Sequence, residues 1–283
     1  MGQGNAKPQS SRTQSSDRRI EGSARLLAVA LAAGLILGAV AQEARAQGRP
    51  EIPFSQVSII LETNATDCDT GLQLFFDGDA WKKVKVEGPN GRTVLDVRAK
   101  GTLARFGITE QFNETSEPVM AELVDGLDFD CDEPEFTLAE LFELFPEGDY
   151  EFEGETVEGE WLDGEATLSH VIPAPPHIVA PEEGAEVDPD DTVIMWTRVD
   201  APILPGLGRG PWDEVDIVGF HVVVEREDPD PLVVFTADLP ADATEVAVPP
   251  EFLQAGASYK FEVLQIDVSG NQTIAESDFE TED

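Results

Sequence analysis

The chain reads as all-β, two β-sandwich domains in tandem, the first jelly-roll-like with one or two short helices. Three features predict this. Apolar residues recur at period two, as at Tyr259, Phe261 and Val263, which marks strands with one face buried. Turn chemistry separates the runs, most clearly at Gly88-Pro89-Asn90-Gly91 and Gly270-Asn271. Helical spacing is confined to two short stretches.

In the first half, residues 47–172, Val57 to Leu61, Gly71 to Phe76, Val84 to Glu87 and Thr93 to Val97 read as strands, as do Tyr150 to Glu153 and Ala166 to Val171. Ala121 to Val124 reads as a short helix. Thr137 followed by Glu140 is a capping box, with Leu138, Leu141, Phe142 and Phe145 at helical spacing behind it and Pro146 to Gly148 as the stop. Residues 173–176 form a Pro-rich spacer and the expected domain boundary. In residues 177–283, strands are expected at His177 to Pro181, Thr192 to Trp196, Gly219 to Glu225, Leu232 to Phe235 and Thr244 to Val248, followed by a hairpin turning at Gly270-Asn271.

That last stretch carries a resemblance. Leu253, Gly256 and Tyr259 look like the tyrosine corner of an immunoglobulin-like sandwich. With Trp196 early, Phe220 in the middle, Val263 late and about seven strands, the segment from Pro175 to Thr281 resembles a fibronectin type III domain. The resemblance implies the sandwich fold and no particular function, because modules of that family range from adhesion to plain spacing. The long insert from Arg198 to Asp216 departs from the family pattern.

Residues 1–46 have the layout of a secretory signal peptide: a polar stretch dotted with Arg, an apolar run from Leu26 to Ala41 and the small-x-small triplet Ala44-Arg45-Ala46. The mature chain is then expected to be secreted or periplasmic, with no membrane attachment. Its charge excludes other classes. The chain has 57 acidic and 18 basic residues, a net of -39, and no Lys or Arg lies between Phe106 and Thr197. Such a surface repels nucleic acid, whose binding needs clustered cations, and attracts metal cations or basic partners.

Two cysteines, each in an Asp-Cys-Asp tripeptide, give the most specific signal. In an exported chain Cys68 and Cys131 are expected to pair. Pairing would crowd Asp67, Asp69, Asp130 and Asp132 together, with Asp77, Asp128 and Glu133 nearby, and carboxylates at such distances repel unless a cation sits among them. Calcium, which takes six to eight oxygen ligands in flexible geometry, is the ion this set suits. The competing reading leaves the acids in water around a plain disulfide.

A second candidate site is the insert, where Ile203, Leu204, Leu207 and Trp212 around Arg209 would form an anchor for a protein or glycan partner if exposed. The alternative folds them over the sandwich end or against the first domain. No catalytic constellation stands out. The three histidines, His170, His177 and His221, lack metal-ligand spacing, and His221 is expected to face water beside a buried Phe220. Asn64, Asn113 and Asn271 open glycosylation-type triplets. The expected function is therefore a non-enzymatic binding or adhesion protein, calcium-stabilised in its first domain. The alternatives are an accessory structural protein without a small ligand and a carboxylate-dependent glycan hydrolase.

Overall fold

The computed structural model describes residues 49–127, 129, 131–204, 215–228 and 232–283. The first half contains β1 (Glu51–Pro53), β2 (Gln56–Asn64), β3 (Asp69–Glu87), β4 (Thr93–Arg98), α1 (Leu103–Phe106), β5 (Ile108–Glu114), α2 (Ala121–Gly126), α3 (Leu138–Leu144), β6 (Gly148–Thr156) and β7 (Trp161–Leu168). The second contains β8 (His177–Ala180), β9 (Ala185–Val187), β10 (Val193–Thr197), β11 (Ile217–Asp228), β12 (Val234–Pro240), β13 (Glu245–Ala247), β14 (Ser258–Asp267) and β15 (Gln272–Thr281). No helix among the described residues is long and apolar enough to cross a membrane.

The first half is built on β3. Its opening residues pair with β2 and β5, its closing residues with β6 and β4, and the register breaks between Asp77 and Trp81. Gly78 lies in that break, where a Cβ would stand 3.0 Å from Phe54. One bent strand thus links two sets of strands of the same sheet, which close over a core of Phe54, Phe76, Trp81 and Phe152, whose rings meet at 5.4 to 6.1 Å. Hairpins sharing this bent strand replace the jelly-roll order that the strand spacing suggested. Thr137 makes the capping box with Glu140 as expected, starting α3, which buries Leu138 and Leu141.

The second half has fibronectin type III-like topology. A three-stranded sheet, β13-β10-β8, faces a four-stranded row, β15-β14-β11-β12. Between them Trp196 meets Phe220 at 5.3 Å, and Tyr259 stacks on Phe279 at 5.1 Å. The tyrosine corner is present: the Tyr259 hydroxyl accepts the Gln254 N–H at 2.7 Å.

The two halves keep separate apolar cores but not separate sheets. β15 pairs in parallel with β2, so one twelve-stranded sheet runs through the molecule. Residues 173–176 consequently do not act as a free spacer. The Pro173 carbonyl accepts the Thr273 hydroxyl at 2.6 Å, and the Ala174 carbonyl accepts from Gln265 Nε2 at 2.9 Å. Asn271 is fully buried at this seam. Its Nδ2 donates to the carbonyls of Ser169 and Val171 at 2.9 and 2.7 Å, and its Oδ1 accepts the Leu61 N–H at 2.8 Å. The residue expected only to turn a hairpin is also a rivet between the halves, and its amide has no room for a glycan.

The start of the insert takes the inward alternative. Ile203 is buried in the first core, its N–H bonded to the Ile172 carbonyl at 2.9 Å, and Leu204 packs beside it. These two are therefore not exposed anchors; apolar burial against the first half outweighs presentation to solvent. Leu207, Arg209 and Trp212 lie outside the described residues.

Candidate metal centre

The disulfide forms between Cys68 and Cys131, with Cα atoms 5.8 Å apart. Cys68 is buried and has φ of 58°, a left-handed turn residue between β2 and β3. Among the described residues, pairing brings Asp67 and Asp69 together but does not add Asp77 to them. Asp132 is exposed, and Asp130 lies outside the described residues, as does Asp128. Asp77 stands eight residues along β3, opposite Gln56 and Glu110. At the strand rise this is about 26 Å from Asp69. Among the described members of the set, Asp67 and Asp69 act on each other and meet further acids that come from elsewhere, Glu117 and Glu276.

Strand register explains the assembly. Alternation puts Asp69, Gly71 and Gln73 of β3 on one face, and Gly71 is paired with Glu62 of β2. Glu62 is in turn paired with Gln272 of β15, which continues the same face into the second half. There Glu276 stands directly opposite Glu262 of β14. From the other side, Glu114 at the end of β5 and Glu117 after it lie over β3, where the Thr115 hydroxyl accepts the Leu72 N–H at 3.0 Å. Gly71 permits this approach, since a Cβ there would stand 2.7 Å from Glu117 Cγ.

Carboxylate oxygens of Glu62, Glu114 and Glu117 all fall within 4.8 Å of one another. Glu62 is buried and accepts from Gln272 Nε2, while Gln73 Nε2 donates to Glu114 at 2.9 Å. Asn64 Nδ2 donates to Asp67 at 3.1 Å and to Glu276 at 2.6 Å. Lys260 is the basic partner, at 2.7 Å from Glu276 and 3.3 Å from Glu262. Asp69 Oδ1 is buried without a hydrogen-bond partner.

One amine cannot neutralise this set, and the ionisation of the acids reflects that. Burial, then the charges of Glu117 and Glu114, pushes Glu62 up to about 8. Burial, then Glu117 and Asp67, pushes Asp69 up to about 7; Glu117 is solvent-exposed as a residue, yet the crowding around its carboxylate, by desolvation and then by Glu114 and Glu262, raises it as well, to about 7. Burial raises Glu262 and Glu276 as well, although Lys260 pulls both back. Burial alone would lower Lys260, but its two glutamates outweigh that and hold it raised.

The donor set is all oxygen, which suits a hard cation and not zinc or copper. Calcium takes oxygen ligands at ~2.4 Å, so carboxylate oxygens no more than 4.8 Å apart are close enough to share one ion. Glu62, Glu114 and Glu117 were not legible as a set, because each looks like an outward residue of an acidic strand or loop. The pairing of β2 with β15, which no local pattern announces, completes the cluster.

The histidines take structural places. His170 stacks on Phe142 at 3.8 Å and bonds the Phe145 carbonyl at 2.8 Å; burial lowers its pKa. His221 lies on the face opposite Phe220, as alternation requires, but does not face water. That face is covered near Val223 and Leu264, and the ring sits 2.6 Å from Asp238, buried.

No family model matches the chain, and no curated protein matches it in sequence. Among solved structures, a myokine structure is 15% identical over 39% of this chain and 99% of its own, with a TM-score of 0.26. The FN1–FN3 domains of chicken CNTN1 are 10% identical over 83% of this chain and 69% of theirs, with a TM-score of 0.33. The third fibronectin III domain of human KIAA0343 protein is 14% identical over 41% and 85%, with a TM-score of 0.27. The second half carries its likeness to a fibronectin type III fold in its own strand order and tyrosine corner.

Proposed function

We propose that the chain is an extracytoplasmic, non-enzymatic protein of adhesion or scaffold type, whose two halves are held as one rigid unit by a calcium ion at their seam. The carrying observation is the Glu62, Glu114 and Glu117 triad within 4.8 Å, with Asp69 Oδ1 buried and unpartnered nearby. A disulfide is stable in an oxidising compartment, which fits export. The cation would lower the mutual repulsion of acids from β2, β3, β5, β14 and β15, tying the first half to the second.

A structural module without a small ligand is the second reading. It is favoured by the direct bonds of Asn271, Gln265 and Thr273, which join the halves with no ion. Titration calorimetry with calcium on metal-stripped protein, together with melting curves with and without chelator, separates the two. Heat of binding, and a melting temperature raised by calcium and lost in Glu62→Gln, supports the cation reading. Absence of both leaves the structural module.

A further inference from the structure

The residues from Val97 to Thr109 contain Arg98, Lys100 and Arg105 and no acid, in a chain of net charge -39. At their centre is α1, a helix of four residues of which none is buried. Leu103 is 55% exposed and Phe106 75% exposed, the highest value among the exposed large apolar side chains. Arg98 is held by Asp96 at 3.0 Å, whereas Lys100 and Arg105 have no ion-pair partner among the described residues. This tip is therefore apolar and cationic at once, and no described residue covers it.

A surface of the opposite character lies elsewhere on the same half. The outer side of α3 exposes Glu140, Glu143 and Leu144, the last 49% exposed, and Phe129 on the preceding loop is 43% exposed. No Lys or Arg occurs in the sequence between Phe106 and Thr197, and no ion pair among the described residues involves Glu140 or Glu143. The two surfaces attach at different points of β3: Gly107, closing α1, rests on Ala80, while Val119, opening the segment of α2 and α3, bridges to Asp69. Eleven residues of strand separate the two attachment points, about 36 Å of extended chain, and among the described residues no ion pair joins the two surfaces.

We propose that the α1 tip of one copy docks on the α3 surface of a second copy. Lys100 and Arg105 of one would face Glu140 and Glu143 of the other, with Leu103 and Phe106 packing toward Leu144 and Phe129. Charge complementarity selects this occupant: the chain's own surface supplies the anion the tip lacks, and long-range repulsion between acidic copies is screened beyond ~8 Å at physiological salt. The contact joins two different patches, so it is head-to-tail and extends to chains or rings of copies.

Sedimentation velocity of the purified protein over a concentration series is expected to show concentration-dependent association at physiological salt, weakened in ~1 M salt where the screening length is ~3 Å. The pair Lys100→Glu with Arg105→Glu should weaken association by about tenfold or more, as should Glu140→Lys with Glu143→Lys. Mixing the two variants should restore it, because each then presents the charge the other needs. Circular dichroism confirms folding of each variant, and Leu103→Ala with Phe106→Ala provides a charge-neutral second probe that should also weaken association. A wild-type protein that stays monomeric throughout overturns the proposal, as does a mixture that fails to re-associate. Capture by vesicles of anionic lipid without self-association in solution also overturns it and reassigns the tip to a membrane surface.

Discussion

Asn271 shows how much one side chain holds at this seam. Replacing it with alanine strips partners from the Leu61 N–H and from the Ser169 and Val171 carbonyls, all at a buried site. At about 1–3 kcal/mol for each buried group left unsatisfied, Asn271→Ala should lower unfolding stability by at least ~3 kcal/mol, read from urea titration. Tyr259→Phe removes a single acceptor for the Gln254 N–H and should cost only about 1 kcal/mol in the same measurement. Gly71→Ala works differently. The atom in the way is the Glu117 side chain, not backbone, so the fold should survive while Glu117 is displaced from Glu62. Calcium affinity should then fall by about tenfold with the melting temperature of metal-stripped protein little changed. A variant that binds calcium as the wild type does would remove Glu117 from the site.

Among the elements, the disulfide and the capping box act on the unfolded chain and on one helix respectively. Closing 63 residues is worth about 4 kcal/mol by chain entropy, so Cys68→Ser with Cys131→Ser should lower stability by roughly that amount. Thr137→Ala should cost about 1 kcal/mol, by loss of its bonds with Glu140 at the start of α3. These features, like the hairpin around Gly270-Asn271 and the corner at Tyr259, were legible because their causes are local: a hydroxyl three residues before a glutamate, or alternation bounded by a turn. β1, β5, α1 and β9 were not, being short or weakly patterned elements placed by neighbours. The single strand β3 looked like two, since its apolar alternation breaks at the bend between Asp77 and Trp81. Asp69 and Asp67 were found through the cysteines, but the glutamates that complete the cluster share no sequence signal with them.

At the scale of the whole molecule, the seam links folding to pH and to divalent cations. In the unfolded chain Glu62, Asp69 and Glu117 titrate near 4. In the fold, burial and mutual repulsion lift them to about 8, 7 and 7. Between those limits the folded state holds more protons than the unfolded one, so stability falls as pH rises through the window, and the penalty is complete only above the folded values. Glu262, Glu276, Glu151, Glu153, Asp163 and Glu165 are raised too and act in the same direction. His170, lowered by burial, opposes them only below its ordinary range near 6.5, so the comparison belongs between about pH 6.5 and about pH 8.5. Metal-stripped protein should lose several degrees of melting temperature across that interval. Calcium needs the deprotonated oxygens, so its stabilisation should grow with pH and offset much of the loss at the upper end. Melting curves at both pH values, with calcium or with chelator, read this directly. A melting temperature that is flat with pH in chelator, or a calcium effect equal at both ends, would mean that these acids neither repel one another in the fold nor share an ion.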